Sequence, residues 1–102
     1  MPLELPRRTV ELVATQHEAV RAIARGIVRW VGEIEGLGRA VLVDHGDHYV
    51  TLTGKLERCV VNPGDEVQEG TLLGNAQGTL VSFELSEGRT ALDPSGWLRP
   101  PR

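Results

Sequence analysis

Short hydrophobic runs broken by turn residues fill the second half of the chain, a pattern typical of β-strands. Runs at 39–43 and 49–52 flank His45-Gly46-Asp47-His48, whose Gly-Asp centre suits a tight hairpin turn. Further runs lie at 58–61, 66–68, 72–73 and 80–85. The turn residues between them are Asn62-Pro63-Gly64-Asp65, Gly70, Gly74 and Gly78, and we expect positive φ angles at these last three glycines. The pattern predicts a compact antiparallel sheet.

Residues 16–31 carry two conflicting patterns. Apolar residues fall at helical spacing, and Thr15-Gln16-His17-Glu18 fits a helix capping box. Against a helix stand Gly26, which costs about 1 kcal/mol relative to alanine in a helix, and several β-branched residues. Local pattern alone narrowly favours a helix.

A weak internal repeat favours strands in the same region. An offset of 47 residues places Val20 over Val67, Thr15 over Asn62 and Glu18 over Asp65. Each stretch contains an apolar pair, a polar turn, an acidic residue and a valine before a glycine-bearing segment. If the second copy is strand–turn–strand, the first copy should have the same structure.

The chain of 102 residues is long enough for one domain but not for two separate cores. Its net charge of −3 and aromatic content of 4% argue against a nucleic-acid-binding surface. The single cysteine, Cys59, excludes an intrachain disulfide, and we expect a small buried hydrophobic residue there. The proline-bearing ends, 1–8 and 99–102, are predicted to be loose segments around a core at 9–98.

The glycine-punctuated segment 26–46, which ends in Asp44-His45-Gly46, and the turn pattern at 61–74 form a distinctive series. Together with Phe83-Glu84 and Leu92-Asp93-Pro94, they resemble LytM/lysostaphin-type zinc metallopeptidase domains over about residues 9–98. The resemblance implies a mainly β fold: an antiparallel sheet or barrel-sandwich with a duplicated hybrid motif and little or no helix. It accounts for the internal repeat, and it favours strands over a helix at 16–31.

The resemblance also implies where the zinc site of active family members falls. Their His-x-x-x-Asp pair falls at Arg7 and Glu11, and their His-x-His falls at Leu80-Val81-Ser82. A further catalytic histidine falls at Lys55. Zinc needs imidazole or carboxylate ligands and an open position for water, and among these residues only Glu11 offers a ligand. We therefore expect no enzymatic activity, no catalytic residue, no bound metal and no other cofactor.

Degenerate domains of this kind resemble division factors of the EnvC and NlpD type, in which the former active site is a groove that activates cell-wall amidases. The resemblance implies a non-catalytic domain that binds a peptidoglycan hydrolase. The acidic charge balance predicts no contact with nucleic acid, and the lack of an apolar run of eighteen residues predicts no insertion of this segment into a membrane. The residues expected to border the groove are Arg7, Glu11, Tyr49, Thr53, Lys55, Arg58, Leu80 and Ser82. We expect the cell envelope if the chain is an excised domain, and the cytoplasm if Met1 is the native start.

Other interpretations stay open at this point. A metal-dependent peptidoglycan hydrolase could have rebuilt its site from Glu11 together with Asp44, His45 and His48, although a structural turn is the simpler interpretation of the last three residues. The domain could also be a relic with a structural or assembly role alone. Lys55, the only lysine, lacks the flanking residues typical of lipoyl and biotinyl carriers.

Overall fold

The computed structural model describes residues 8–47 and 49–87, and this part of the chain is all β. Its strands are β1 (Arg8–Val13), β2 (Ala19–Arg21), β3 (Gly26–Ile34), β4 (Gly38–Gly46), β5 (Tyr49–Cys59), β6 (Glu66–Val67), β7 (Leu72–Ala76) and β8 (Leu80–Glu87). The predicted antiparallel β fold is confirmed, and strands β2 and β3 occupy the region where local pattern favoured a helix. No helix that could span a membrane occurs in the described residues.

The strands form one antiparallel sheet in the order β1-β8-β5-β4-β3-β6, and β2 joins through β7, which also pairs with β5. The predicted hairpin between β4 and β5 is confirmed, with positive φ angles of 84° at Gly46 and 53° at Asp47. Strand β1 begins at Arg8, inside the segment predicted to be loose. Position 48 and the predicted tail at 99–102 lie outside the described residues.

Two apolar clusters form the core. The first contains Val28, Val41, Val43 and Leu56 from the central strands, together with Ala22, Val61, Val67 and Leu73. The second contains Ala40, Leu42, Val50 and Leu52, with Trp30, Ile34 and Leu37 packed against them. Leu42 pairs with Leu52, whereas Val41 and Val43 alternate with Leu42 along β4, so that the clusters lie on opposite faces of the sheet.

The internal repeat is present as a repeated turn. The Thr15 backbone N–H donates to the Glu18 carboxylate at 2.7 Å, and the Asn62 N–H donates to the Asp65 carboxylate at 2.8 Å. After the first turn β2 pairs with β7, and after the second β6 pairs with β3. Each copy thus pairs with a strand of the other copy, and the two copies are interlocked.

Two details of the sequence prediction are wrong. The run 58–61 is not a separate strand, because Arg58 and Cys59 end β5, and Val60 and Val61 lie beyond it. Of the three glycines predicted to have positive φ, only Gly70 does, with φ of 90°. Gly74 lies instead within β7, where a β-carbon would collide with the carbonyl oxygen of Arg58.

His17 lies in the first of the repeated turns, with φ of 71° and a side chain 63% exposed, in agreement with a loop residue. Its Nδ1 atom lies 2.8 Å from the Glu57 carboxylate.

Candidate functional site

Two of the positions assigned to zinc ligands, and the position assigned to the further catalytic histidine, meet on neighbouring strands. Glu11 on β1 lies opposite Ser82 on β8, and Ser82 lies opposite Gly54 on β5. Lys55 follows Gly54, and its Nζ atom lies 2.9 Å from Oε2 of Glu11. Glu11, Ser82 and Lys55 are hereafter the cross-strand triad. Arg7 lies outside the described residues.

The backbone of Lys55 directs its side chain towards Glu11. Alternation along β5 would place Lys55 on the face of Thr53, opposite to the face of Gly54, Ser82 and Glu11. Lys55 has instead a left-handed φ of 63°, beside irregular pairing of β5 with both β4 and β7. Irregularities of this kind re-aim a side chain, and here the ammonium reaches the Glu11 face.

Two backbone hydrogen bonds hold Lys55 in this conformation. Its N–H donates to the carbonyl of Leu37 at 2.6 Å, and its carbonyl accepts from the N–H of Gln77 at 3.0 Å. A left-handed conformation costs a residue with a side chain about 1–2 kcal/mol, so that the neighbouring loops must hold it in place. The sequence predicted neither Leu37 nor Gln77 at the site. The glycines at 36, 38 and 54 were the available signal of a close approach.

Ser82 is the most deeply buried residue of the triad. Its side chain is fully buried, and its hydroxyl has no hydrogen-bond partner in the described part of the chain. A β-carbon on Gly54 would lie 3.7 Å from the Ser82 Cβ, which places these two residues in close contact.

The triad does not fit a zinc ion. Zinc binds imidazole, thiolate or carboxylate groups, and the triad offers one carboxylate, one hydroxyl and one ammonium. An ammonium has no lone pair to give, and it already contacts the one suitable ligand. Within residues 8–47 and 49–87, no group of three or more His, Cys, Asp or Glu side chains is arranged to hold a metal.

The other predicted groove residues are spread over the sheet. Leu80 lies opposite Val13, next to the triad and on its face, and is 39% exposed. Thr53 is buried and lies on the opposite face. Tyr49 lies at the far end of β5, and Arg58 lies beyond Lys55 opposite Asn75.

Asp44 and His45, the candidate ligands of a rebuilt metal site, form hydrogen bonds and polar contacts within the protein. The Asp44 carboxylate accepts from the Gly46 N–H at 2.9 Å, and Arg29 Nε lies 3.6 Å from it. His45 Nδ1 donates to the carbonyl of Arg25 at 2.9 Å, and Nε2 lies 2.8 Å from the Thr51 hydroxyl. Both ring nitrogens of His45 are therefore engaged. A cavity of about 360 Å³ lies beside these residues. His48 lies outside the described residues.

A family model described as peptidase family M23 matches residues 6–94. The chain belongs to this family. The catalytic domain of the M23 protein EnpA from Enterococcus faecalis has a similar structure, with a TM-score of 0.69 and 28% identity over 78% of this chain and 66% of that one.

The chain is also similar in sequence to two longer proteins. An uncharacterized protein of Neisseria meningitidis is 30% identical over 92 residues, which is 84% of this chain and 15% of the relative. The murein hydrolase activator EnvC of Escherichia coli is 30% identical over 101 residues, which is 93% of this chain and 24% of EnvC. The M23 chain described here thus spans less than a quarter of either relative.

Proposed function

We propose that this M23 chain is a non-catalytic interaction domain that binds and activates a cell-wall hydrolase, with an amidase as the expected partner. The observation that carries the proposal is the contact of Lys55 with Glu11, because a carboxylate, a hydroxyl and an ammonium occupy positions where a peptidase of this family would need two zinc ligands and a catalytic histidine. The similarity to a murein hydrolase activator supports the same role, and it favours the cell envelope as the location.

The surface around the triad combines apolar and charged groups. Val13 and Leu80 lie opposite each other on the Glu11 face, and they are 88% and 39% exposed. The Lys55 and Glu11 side chains lie beside them and are 31% and 43% exposed. Apolar anchors supply most of the affinity of a protein contact, and charges set its orientation. A segment of the hydrolase with apolar side chains would suit this surface.

The proposal is tested by calorimetric titration of the chain with purified cell-wall amidases, together with amidase activity on murein. We expect saturable binding and an increase in amidase activity. Leu80→Asp should weaken binding at least tenfold, since it places a charge on an apolar contact. Ile23→Asp, which changes an exposed residue outside the triad face, is the matched control and should bind normally.

The alternatives give different results in the same set of measurements. A rebuilt hydrolase would hold about one zinc per chain and release fragments from murein without an amidase, and these activities would fall on substitution of Asp44 or His45. A relic domain would bind none of the amidases. Either result would replace the proposal.

A further inference from the structure

We infer that Lys55 replaces the metal ion as the link between strands: its ammonium ties β1 to β5 across β8 and makes the shape of this site independent of metal. The link shapes the fold of the site whatever partner the site binds. The mismatch between the triad and zinc supports it, as does the place of the triad in the sheet.

Strand β1 is an edge strand that needs such a link. In the described part of the chain it pairs only with β8, through the register Arg8–Val13 against Leu80–Leu85. Three of its apolar side chains are widely exposed, namely Val10 and Leu12 at 47% each and Val13 at 88%. Little apolar burial therefore holds β1 in place beyond its backbone ladder.

Lys55 is placed to connect β1 with the centre of the sheet. Strand β8 lies between β5 and β1, and neighbouring strands are about 4.8 Å apart. The Lys55 side chain must therefore pass over Ser82 to reach Glu11. Serine is small enough to permit this passage, and its complete burial agrees with a side chain above it.

The conformation of Lys55 agrees with this role. An unfavourable left-handed φ is maintained at a residue that is neither glycine nor asparagine, and its effect is to put the ammonium on the Glu11 face. A lysine in the regular strand conformation would place its charge on the other face. The backbone strain therefore serves the contact between Lys55 and Glu11.

The test is amide hydrogen exchange on the whole chain at neutral pH. Lys55→Met keeps an unbranched side chain and removes the charge, whereas Lys55→Arg keeps the charge. Glu33→Gln is the matched control, because it removes an exposed ion pair of Glu33 with Arg39 at 3.2 Å elsewhere in the sheet. For a partly exposed pair we expect Lys55→Met to speed exchange of the β1 amides about two- to fivefold.

In the same experiment, exchange in β4 should keep its rate in Lys55→Met, and β1 should keep its rate in Lys55→Arg and Glu33→Gln. Unchanged β1 exchange in Lys55→Met, or equal acceleration throughout the sheet, would overturn the inference. So would slower β1 exchange of the unmodified chain on addition of zinc. If Lys55→Met does not fold, raising the salt concentration to about 1 M should produce the same local acceleration in the unmodified chain, because salt screens an exposed ion pair.

These exchange measurements contain no amidase. If they contradict the Lys55 link, partner binding is still tested by the separate titration with amidases. Each proposal can therefore be overturned without the other.

Discussion

Gly74 lies directly against the carbonyl oxygen of Arg58, at the point where β7 crosses close to the end of β5. A β-carbon at position 74 would overlap that oxygen, and the obstacle is backbone that cannot rotate away. We expect Gly74→Ala to lower the free energy of unfolding by about 1–3 kcal/mol, the usual cost of overpacking. Urea unfolding followed by tryptophan fluorescence measures it.

Gly78→Ala is the control for this substitution. No atom lies within 4 Å of a β-carbon at Gly78, and its φ is not in the left-handed region. The free energy of unfolding should stay the same or rise by less than about 1 kcal/mol, since alanine restricts the unfolded chain. Equal losses in both variants would contradict the close approach of β7 to β5.

Because the two turns repeat the same hydrogen bond, we expect Glu18→Ala and Asp65→Ala to lower the free energy of unfolding by similar amounts. Each substitution removes the carboxylate that accepts the N–H of the residue three positions earlier. We expect each to lower the free energy of unfolding by about 0.5–1.5 kcal/mol. Chemical denaturation of both variants beside Glu69→Ala, an exposed carboxylate outside these bonds, checks it. A large loss for only one of the two would show that the turns are not equivalent.

Because the Thr51 hydroxyl contacts His45, we expect Thr51→Val to lower the stability of the fold. The Thr51 side chain is buried, and valine has a similar shape but no hydroxyl for Nε2 of His45. We expect the free energy of unfolding to fall by about 1 kcal/mol. Thr79→Val, at an exposed position, should change it by less than about 0.5 kcal/mol. Equal stability of the Thr51 variant and the unmodified chain would contradict this hydrogen bond.

We expect the thiol of Cys59 to be alkylated slowly in the folded chain. Burial raises the pKa of its thiol, and the nearby Arg39 guanidinium offsets only part of this increase. The rate of iodoacetamide labelling should therefore rise with pH along a curve displaced to higher pH than that of the chain unfolded in urea. Because the folded chain holds this proton more tightly, the free energy of unfolding should also fall as the pH rises through the alkaline range. Coincident labelling curves would contradict the burial.

Much of the sheet could be predicted from alternation and turn residues, including the hairpin of β4 and β5. The local pattern at 16–31 failed for a physical reason. A register shift between Val28 and Trp30 sends these residues to different apolar clusters, although regular alternation would place them on one face. The break in alternation leaves an apolar spacing that resembles a helix, and only the internal repeat and the family resemblance corrected it.

Less of the candidate site than of the fold could be predicted from the sequence. The resemblance supplied the positions of Glu11, Ser82 and Lys55, but no local pattern predicts the contact of Lys55 with Glu11. Lysine is not a residue that marks a left-handed φ, and simple alternation along β5 puts its side chain on the wrong face. The contact depends on the loops of Leu37 and Gln77, which are distant in sequence from Glu11.

The interlocked pairing of the two copies has a consequence for how the chain reaches this structure. Strand β2 pairs with β7, and β1 pairs with β8, so that the first strands of the described sheet find their partners among its last strands. Contacts between segments so far apart require the closure of long loops and make folding slow. A nascent chain would hold β2 unpaired until β7 emerges and β1 unpaired until β8 emerges, and during that interval its exposed strand edges would be open to association with other chains.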